Sequence, residues 1–577
     1  MLFFYFIRII SIPNILHMKS LYLLAIVCIA QSVSAQSLVY ESGGEHIPEL
    51  SAYNVHHYEL DLNIQPADST VHGKVSVHFD VVHPTNRIAL ALDPKLSISD
   101  VSMRNAGRDH LEFKRDGSTR TFFVYFPATL QPGESAVIDI SYGGKPVVAV
   151  NPPWDGGMVW SQTPSGEVWA GVACQTIGAW VWWPNKDHPS DRPDSVAIDI
   201  TMPDNLVVAS NGRSRGVTEN RDGTNTSHWF VSTPINNYNV TFNAAPYETI
   251  SETYTSISGD EMEMTFWILP EFIEDGRKLF PQFGEQMKFL EEILGPYPFR
   301  ADKYGIAHAP YLGMEHQTLI AYGAGFEDGA LFGEPAKFDD LHQHELAHEW
   351  WGNMVTVWDW RDFWIHEGFG TYMQALYAEH VSGKEDYDRM IRHFESRISS
   401  AFPTAPRQSM NTREITGGGR GGDIYFKGAV FLHTLRHYMD DDPFFESLRR
   451  FAYPDPEMEK VTDGSHLRHA TTDDYLVLVN EITGDDLTWL FEAYLREAQT
   501  PQLMIKHEEE RTILRWQTES GGRFDMPLEL YIDRDLETVS PINGVITLEL
   551  PEGASLEVDP YNKVLMQIVD NRSPLSD

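Results

Sequence analysis

At 577 residues the chain is too long for one hydrophobic core and divides into about three domains. A hydrophobic fraction of 42% with 12% aromatic residues belongs to a globular protein and excludes a disordered one. The formal charge of −39 argues against nucleic acid as a partner, because its phosphates would be repelled.

In chain order, Met18-Lys19-Ser20, the apolar run Leu21 to Ala30, and Val33-Ser34-Ala35 before Gln36 have the layout of a secretory signal peptide. Residues 1–35 are read as that signal, with Met18 as an alternative true start. The apolar run falls short of the roughly twenty residues that cross a bilayer. No stable membrane span is therefore expected after cleavage, and the product would be exported to a periplasm or the medium. An uncleaved anchor beginning at Leu2 is the alternative. Cleavage leaves Cys174 alone, so no intrachain disulfide can form, and Cys174 reads as a small buried apolar residue.

From Tyr53 to Tyr247 the chain alternates as short strands do. Tyr58, Leu60, Leu62 and Ile64 recur at every second position, as do Val75, Val77, Phe79 and Val81. This predicts an all-β domain, a sandwich or saddle-like sheet, over 36–250. Asn225 and Asn239 match the glycosylation acceptor pattern there. Near Tyr254 the period changes. Leu279, Phe280, Phe283, Met287, Leu290 and Leu294 predict a helix over 273–294, stopped by Gly295-Pro296. A helix over 337–352, another after Glu367, and further helical runs to about Ala498 make 251–502 a mostly helical domain. Thr472 reads as a cap near the end of this stretch. Alternation returns from Leu503 to Val569, which predicts a small β domain over 503–577. The fold class is thus multidomain α+β.

The chemistry concentrates in His344-Glu345-Leu346-Ala347-His348 and in Glu367. Residues four apart share one helix face, so His344 and His348 can offer two imidazoles to one metal ion. Two neutral imidazoles and a carboxylate suit Zn²⁺, with a fourth position left open for water. Glu345, beside that water, reads as the general base rather than a ligand. Alone, HExxH is a short pattern; Glu367, opening a second helix, supplies the third ligand it needs.

This spacing and the surrounding blocks His344 to Asn353 and Glu367-Gly368-Phe369 resemble the gluzincin aminopeptidases that include aminopeptidase N and leukotriene hydrolase. Trp182-Trp183-Pro184-Asn185-Lys186-Asp187 is similar to short secreted bacterial members. Leu312-Gly313-Met314-Glu315-His316 resembles the family's G-x-M-E-N motif, with Leu312 and His316 as departures. The resemblance implies that Gly313, Met314 and Glu315 bind the substrate's amino end through the Glu315 carboxylate, which is suited to an α-ammonium. Tyr425-Phe426-Lys427-Gly428 resembles Y-x-K-G, which gives Tyr425 the role of hydrogen-bond donor to the tetrahedral oxyanion. Ala173-Cys174-Gln175 is similar to the family's Q-x-Q/E element and adds Gln175 to the amino-end site. The glycines of 417–422 lack the Lys-Ser/Thr pair of a phosphate loop and read as a rim.

The resemblance implies a zinc-dependent aminopeptidase with one Zn²⁺ per chain, acting on peptides with free N-termini and on no nucleic acid. A gluzincin endopeptidase and a non-catalytic peptide-binding protein on the same scaffold are the alternatives. A thermolysin-like catalytic domain and a cleft left open by the short C-terminal region are further implications. Oligomeric state, preferred N-terminal side chain and a second activity such as epoxide hydrolysis are not encoded legibly.

Overall fold

The computed structural model describes residues 38–570 apart from 105–108, 118, 334–335, 509–510 and 551–553. The proposed signal segment lies outside the described residues. From Tyr40 the chain packs as one unit.

Strand alternation between Tyr53 and Val231 produces an eight-stranded sheet. Its centre is the hairpin Tyr53–Gln65 and Thr70–Val81, which pairs antiparallel along its whole length. Tyr58, Leu60, Leu62 and Ile64 point to one face and are buried, because a period of two puts every second side chain on the same side. Strand Ser195–Pro203 joins parallel to the first hairpin strand. A four-stranded sheet, in the order Val207–Ser210, Phe242–Ala245, Val168–Ala173 and Gly157–Gln162, lies beyond it and ends just before Gln175. The tryptophan-rich segment between these sheets is buried, with Trp180, Trp182 and Trp183 fully covered. Lys186 is neutralised inside it by a close ion pair with Asp191. Arg192 then reaches out of the segment, its Nη1 donating to Asn353 O and Thr356 Oγ1, both at 2.8 Å.

The next layer is a five-stranded sheet in the order Glu248–Thr255, Glu261–Ile268, Tyr304–His308, Ile320–Tyr322 and Gly313–Met314. Helix α1, Ile273–Leu294, covers it with the six apolar residues that the periodicity predicts, and Gly295 at φ +100° stops it. Three further helices build the site: α2 (Asp340–Ala347), α3 (Trp364–Ser382) and α4 (Gly421–Met439).

Helix α2 is shorter than the expected 337–352. Asp339 is extended, and its carboxylate caps the helix by accepting His342 N–H at 2.8 Å. Beyond Ala347 the N–H groups of Glu349 and Trp350 bond only three residues back, so the chain tightens into turns. Near the other end of the helical region Thr471, not Thr472, is the cap, in a capping box with Asp474. Asn239 is fully buried, with its amide on Asn353 Oδ1, so the folded chain does not offer that acceptor pattern to an enzyme.

The C-terminal strands form a four-stranded and a three-stranded sheet. They dock on the far end of α4, where Thr434 Oγ1 accepts Leu565 N–H at 3.0 Å and His433 Nε2 donates to Asn562 O at 2.8 Å. No helix among the described residues is long and apolar enough to cross a membrane.

Candidate active site

His344 sits one turn before the end of α2 and His348 caps it, so the shortened helix still presents both imidazoles on one face. Hydrogen bonds fix their tautomers. His348 Nδ1 lies 2.8 Å from Trp351 O, which only accepts, so Nδ1 carries the proton and Nε2 is free to ligate. His344 Nδ1 lies 3.2 Å from Gln374 Oε1, and the Gln374 amide nitrogen is committed to Asp340 O at 2.7 Å. That orientation again leaves Nε2 unprotonated.

Glu367 comes from the first turn of α3. Its Oε2 lies 3.5 Å from His344 Nε2 and 3.4 Å from His348 Nε2, and the two imidazole nitrogens are 3.1 Å apart. Ligands at about 2.0–2.1 Å in a tetrahedral shell stand roughly 3.3–3.4 Å from one another. The three atoms therefore match the base of such a shell. Glu367 Oε2 is also buried without a hydrogen-bond partner. Burial opposes its ionisation, yet His348 and His344 hold its carboxyl below the ordinary range. Burial would likewise discharge His348, but Glu367 and Glu315 push it up to about 10. A divalent metal fits both the geometry and the charge.

Glu345 is 6% exposed, and burial with the nearby Glu315 raises its carboxyl well above the usual range. One oxygen each of Glu315 and Glu345 and one nitrogen of His348 all lie within 4.8 Å of one another. Gly313 explains how Glu345 fits. A Cβ there would stand 2.7 Å from Glu345 Oε1 and 2.7 Å from Leu341 Cδ1, so only glycine lets the edge strand lie against the carboxylate.

Glu315 follows that edge strand and is 3% exposed. Gln175 Nε2 donates to its Oε1 in a close contact, and Tyr238 Oη donates to the same oxygen at 3.3 Å. Asn353 Nδ2 holds the Glu315 carbonyl at 2.8 Å. Gln175 and Tyr238 come from the β-rich region before residue 250, Glu315 and Asn353 from the region of the five-stranded sheet and helix α2. Tyr238, Asn353 and Gln374 were not singled out by the sequence reading. The run Asn236 to Asn239 that carries the first is buried, a fact that only the folded chain reveals.

Tyr425 stacks on His344 with ring centroids 6.0 Å apart. Burial and the three nearby acids raise its phenol well above its ordinary value, so it remains a neutral donor. Its position depends on two glycines. A Cβ on Gly368 would come to 2.9 Å from Gly428 Cα, and one on Gly428 to 3.0 Å from Gly368 Cα. Helices α3 and α4 thus cross backbone to backbone, one residue after Glu367 and three after Tyr425.

The predicted residues meet around one cavity of about 1050 Å³. Gln175, Gly313, Met314, Glu315, the two histidines, Glu345, Glu367 and Tyr425 all line it, as do four of the glycines in 417–422. Among the described residues, none after Phe426 lines it.

The family model of the peptidase family M1 domain matches residues 284–494, and that of the peptidase M1 N-terminal domain matches 54–238. Together they account for more than half of the chain. Bovine aminopeptidase N (Bos taurus) is 24% identical over 50% of this chain and 32% of its own length. Human endoplasmic reticulum aminopeptidase 1 is 23% identical over 70% of this chain and 44% of its own. Leucine aminopeptidase 2 of Vanderwaltozyma polyspora is 26% identical over 60% of this chain and 50% of its own. The chain thus spans between a third and a half of these curated relatives. Among solved structures, an M1 zinc metallopeptidase from Deinococcus radiodurans, as a mutant with a Tyr-Ser-Ala substrate, superposes with a TM-score of 0.62. It is 23% identical, over 78% of this chain and 95% of that one.

Proposed function

The chain belongs to the M1 peptidase family, and on that premise we propose that it is a zinc aminopeptidase releasing the N-terminal residue from peptides. His344, His348 and Glu367 would hold one Zn²⁺ per chain. When bound, the ion supplies Lewis acidity that lowers the pKa of a water and polarises the scissile carbonyl. Glu345 accepts the proton of the attacking water and delivers it to the leaving amine. Tyr425 donates a hydrogen bond to the oxygen on which negative charge develops. Glu315, oriented by Gln175 and Tyr238, binds the α-ammonium and sets the first peptide bond opposite the ligand triad.

The observation that carries this reading is the placement of Glu315. A buried carboxylate, held by two neutral donors and within 4.8 Å of Glu345 and His348, supports a site that is closed on the upstream side. An endopeptidase must accommodate residues there, and a non-catalytic binding protein has no use for a base beside the triad. The same reading assigns 36–250 to an N-terminal β domain, 251–502 to the catalytic domain and 503–577 to a C-terminal β domain. Export follows from the signal-like segment before Gln36.

A panel of aminoacyl-anilides, free and N-acetylated, tests the assignment with and without chelator. Hydrolysis confined to free amines and abolished by chelation is expected. Equal cleavage of N-acetylated substrates would refute the role of Glu315. Glu345→Gln should keep its zinc while losing activity by orders of magnitude.

A further inference from the structure

The outer face of the eight-stranded sheet holds a second meeting of metal-binding side chains. In its central hairpin Tyr53 and Val55 are buried before His56, and Tyr58 and Leu60 after it, so the inward positions change from odd to even. A one-residue bulge at His56 makes that change. Val55 pairs with Phe79, and His57 pairs with the very next residue of the partner strand, His78. His57 and Glu59 are thereby turned outward together, because a period of two keeps them on one face, and His78 stands directly across from His57. The two imidazole centroids are 5.0 Å apart, and His78 Nε2 lies 3.1 Å from Glu59 Oε1. One ligand atom from each of the three lies within 4.8 Å of the other two. Among the described residues, every other such trio of His, Cys, Asp or Glu belongs to the active-site cavity.

The chemistry of the three suits an ion. His57 Nδ1 lies 3.1 Å from Ser195 O and 2.8 Å from Ser195 Oγ on the neighbouring strand. A carbonyl only accepts, so Nδ1 carries the proton and Nε2 is left for a ligand bond, the arrangement that also orients His348. Burial holds both imidazoles below their ordinary range, so they are neutral at pH 7. Hydrogen bonds from Arg104 hold the Glu59 carboxyl down at about 2. Those bonds, from Nη2 to Oε2 at 2.6 Å and from Nη1 to Oε1 at 3.2 Å, still leave a lone pair on each oxygen. A neutral His78 donating Nε2–H to Glu59 accounts for the contact in the metal-free chain. A cation takes the place of that proton, which moves to Nδ1 of the same ring. The His78 side chain is 20% exposed and that of Glu59 38%, so an ion and its remaining waters can reach them.

We propose that His57, His78 and Glu59 bind a second Zn²⁺, apart from the one assigned to His344, His348 and Glu367. Two imidazoles and a carboxylate favour Zn²⁺ over Mg²⁺ and Ca²⁺, which prefer shells made of oxygen alone. The ion ties the two hairpin strands together and, through Ser195, the parallel strand beside them. It would act as a staple where the described residues hold Cys174 alone and no disulfide. Arg104 competes for Glu59, so this site is the weaker of the two.

The test counts zinc on the untagged full chain by equilibrium dialysis, with excess Mg²⁺ present to fill surface carboxylates. A second equivalent should bind at higher free zinc than the first. His57→Ala with His78→Ala should weaken it by more than the roughly 10–100-fold that loss of a supporting contact costs. The first equivalent, and kcat on an aminoacyl-anilide, should stay as they were. In the unaltered chain the second ion should shield His57 and His78 from carbethoxylation, read by mass spectrometry, which frees the test from how the variants fold. Failure to shield either histidine, or zinc uptake that the double substitution leaves unchanged, overturns the proposal. The aminopeptidase reading stands or falls separately, on cleavage of the anilide, whereas shielding and zinc counts decide this one.

Discussion

Gly428→Ala is the substitution that most directly tests how the fold positions the chemistry. The added methyl would stand 3.0 Å from Gly368 Cα and 3.4 Å from Trp364 Cε3, against a comfortable carbon–carbon distance of about 3.5–4.0 Å. Helices α3 and α4 must separate by roughly half to one ångström, at a cost of about 1–3 kcal/mol in stability. Tyr425 lies one turn away and moves with α4. A misplacement of about 1 Å can lower a rate on the order of a hundredfold. Removing an oxyanion donor outright costs about 10²–10³ in kcat. We therefore expect Gly428→Ala to retain zinc, to melt several degrees lower and to lose about ten- to a hundredfold in kcat on an aminoacyl-anilide. Tyr425→Phe should lose at least as much. If the glycine acts through Tyr425, the double substitution should be no worse than Tyr425→Phe alone, since both remove one interaction. A double variant far below Tyr425→Phe would mean that the damage runs through Glu367. A Gly428→Ala protein with full kcat would refute the argument from helix contact.

Other expectations follow from single contacts. Gln374→Ala removes the acceptor of the His344 Nδ1 proton, and zinc affinity should fall about 10–100-fold in a chelator competition, with Gln374→Glu restoring most of it. Gln175→Ala and Tyr238→Phe each strip a donor from Glu315; KM for free-amine anilides should rise and the advantage over N-acetylated analogues should narrow. Chelation should abolish activity and lower the melting temperature reversibly. At free zinc a thousandfold above Kd the ion contributes about 4 kcal/mol, so an unchanged melting curve after verified metal removal would contradict a bound ion at the triad.

Much of this was legible in the chain before any coordinates. The 273–294 helix matches residue for residue, because six apolar side chains at helical spacing and Gly295-Pro296 leave little choice. The meeting of His344, His348 and Glu367 was legible because a helix imposes the four-residue spacing of the two histidines. Length was harder: periodicity continues through Phe338 and Trp350, whereas Asp339 starts α2 through a side-chain bond that no period reports. The cap at Thr471 rather than Thr472 is an error of the same kind. Tyr238, Asn353 and Gln374 escaped because their roles exist only across contacts between distant segments. The pattern at Asn239 misled, since a three-residue motif carries no information on burial.

The bond between Gln175 and Glu315 joins two stretches of chain 140 positions apart. Under the proposed function, whatever counts residues from a peptide's beginning is therefore housed in neither stretch alone, while the cleavage machinery is assembled entirely within the later one. Loosening the seam between them would blur where the enzyme starts measuring before it dulled the blade. On the proposed reading, exopeptidase character is a property of a joint, and drift at that joint is a path by which such a scaffold could come to cut elsewhere.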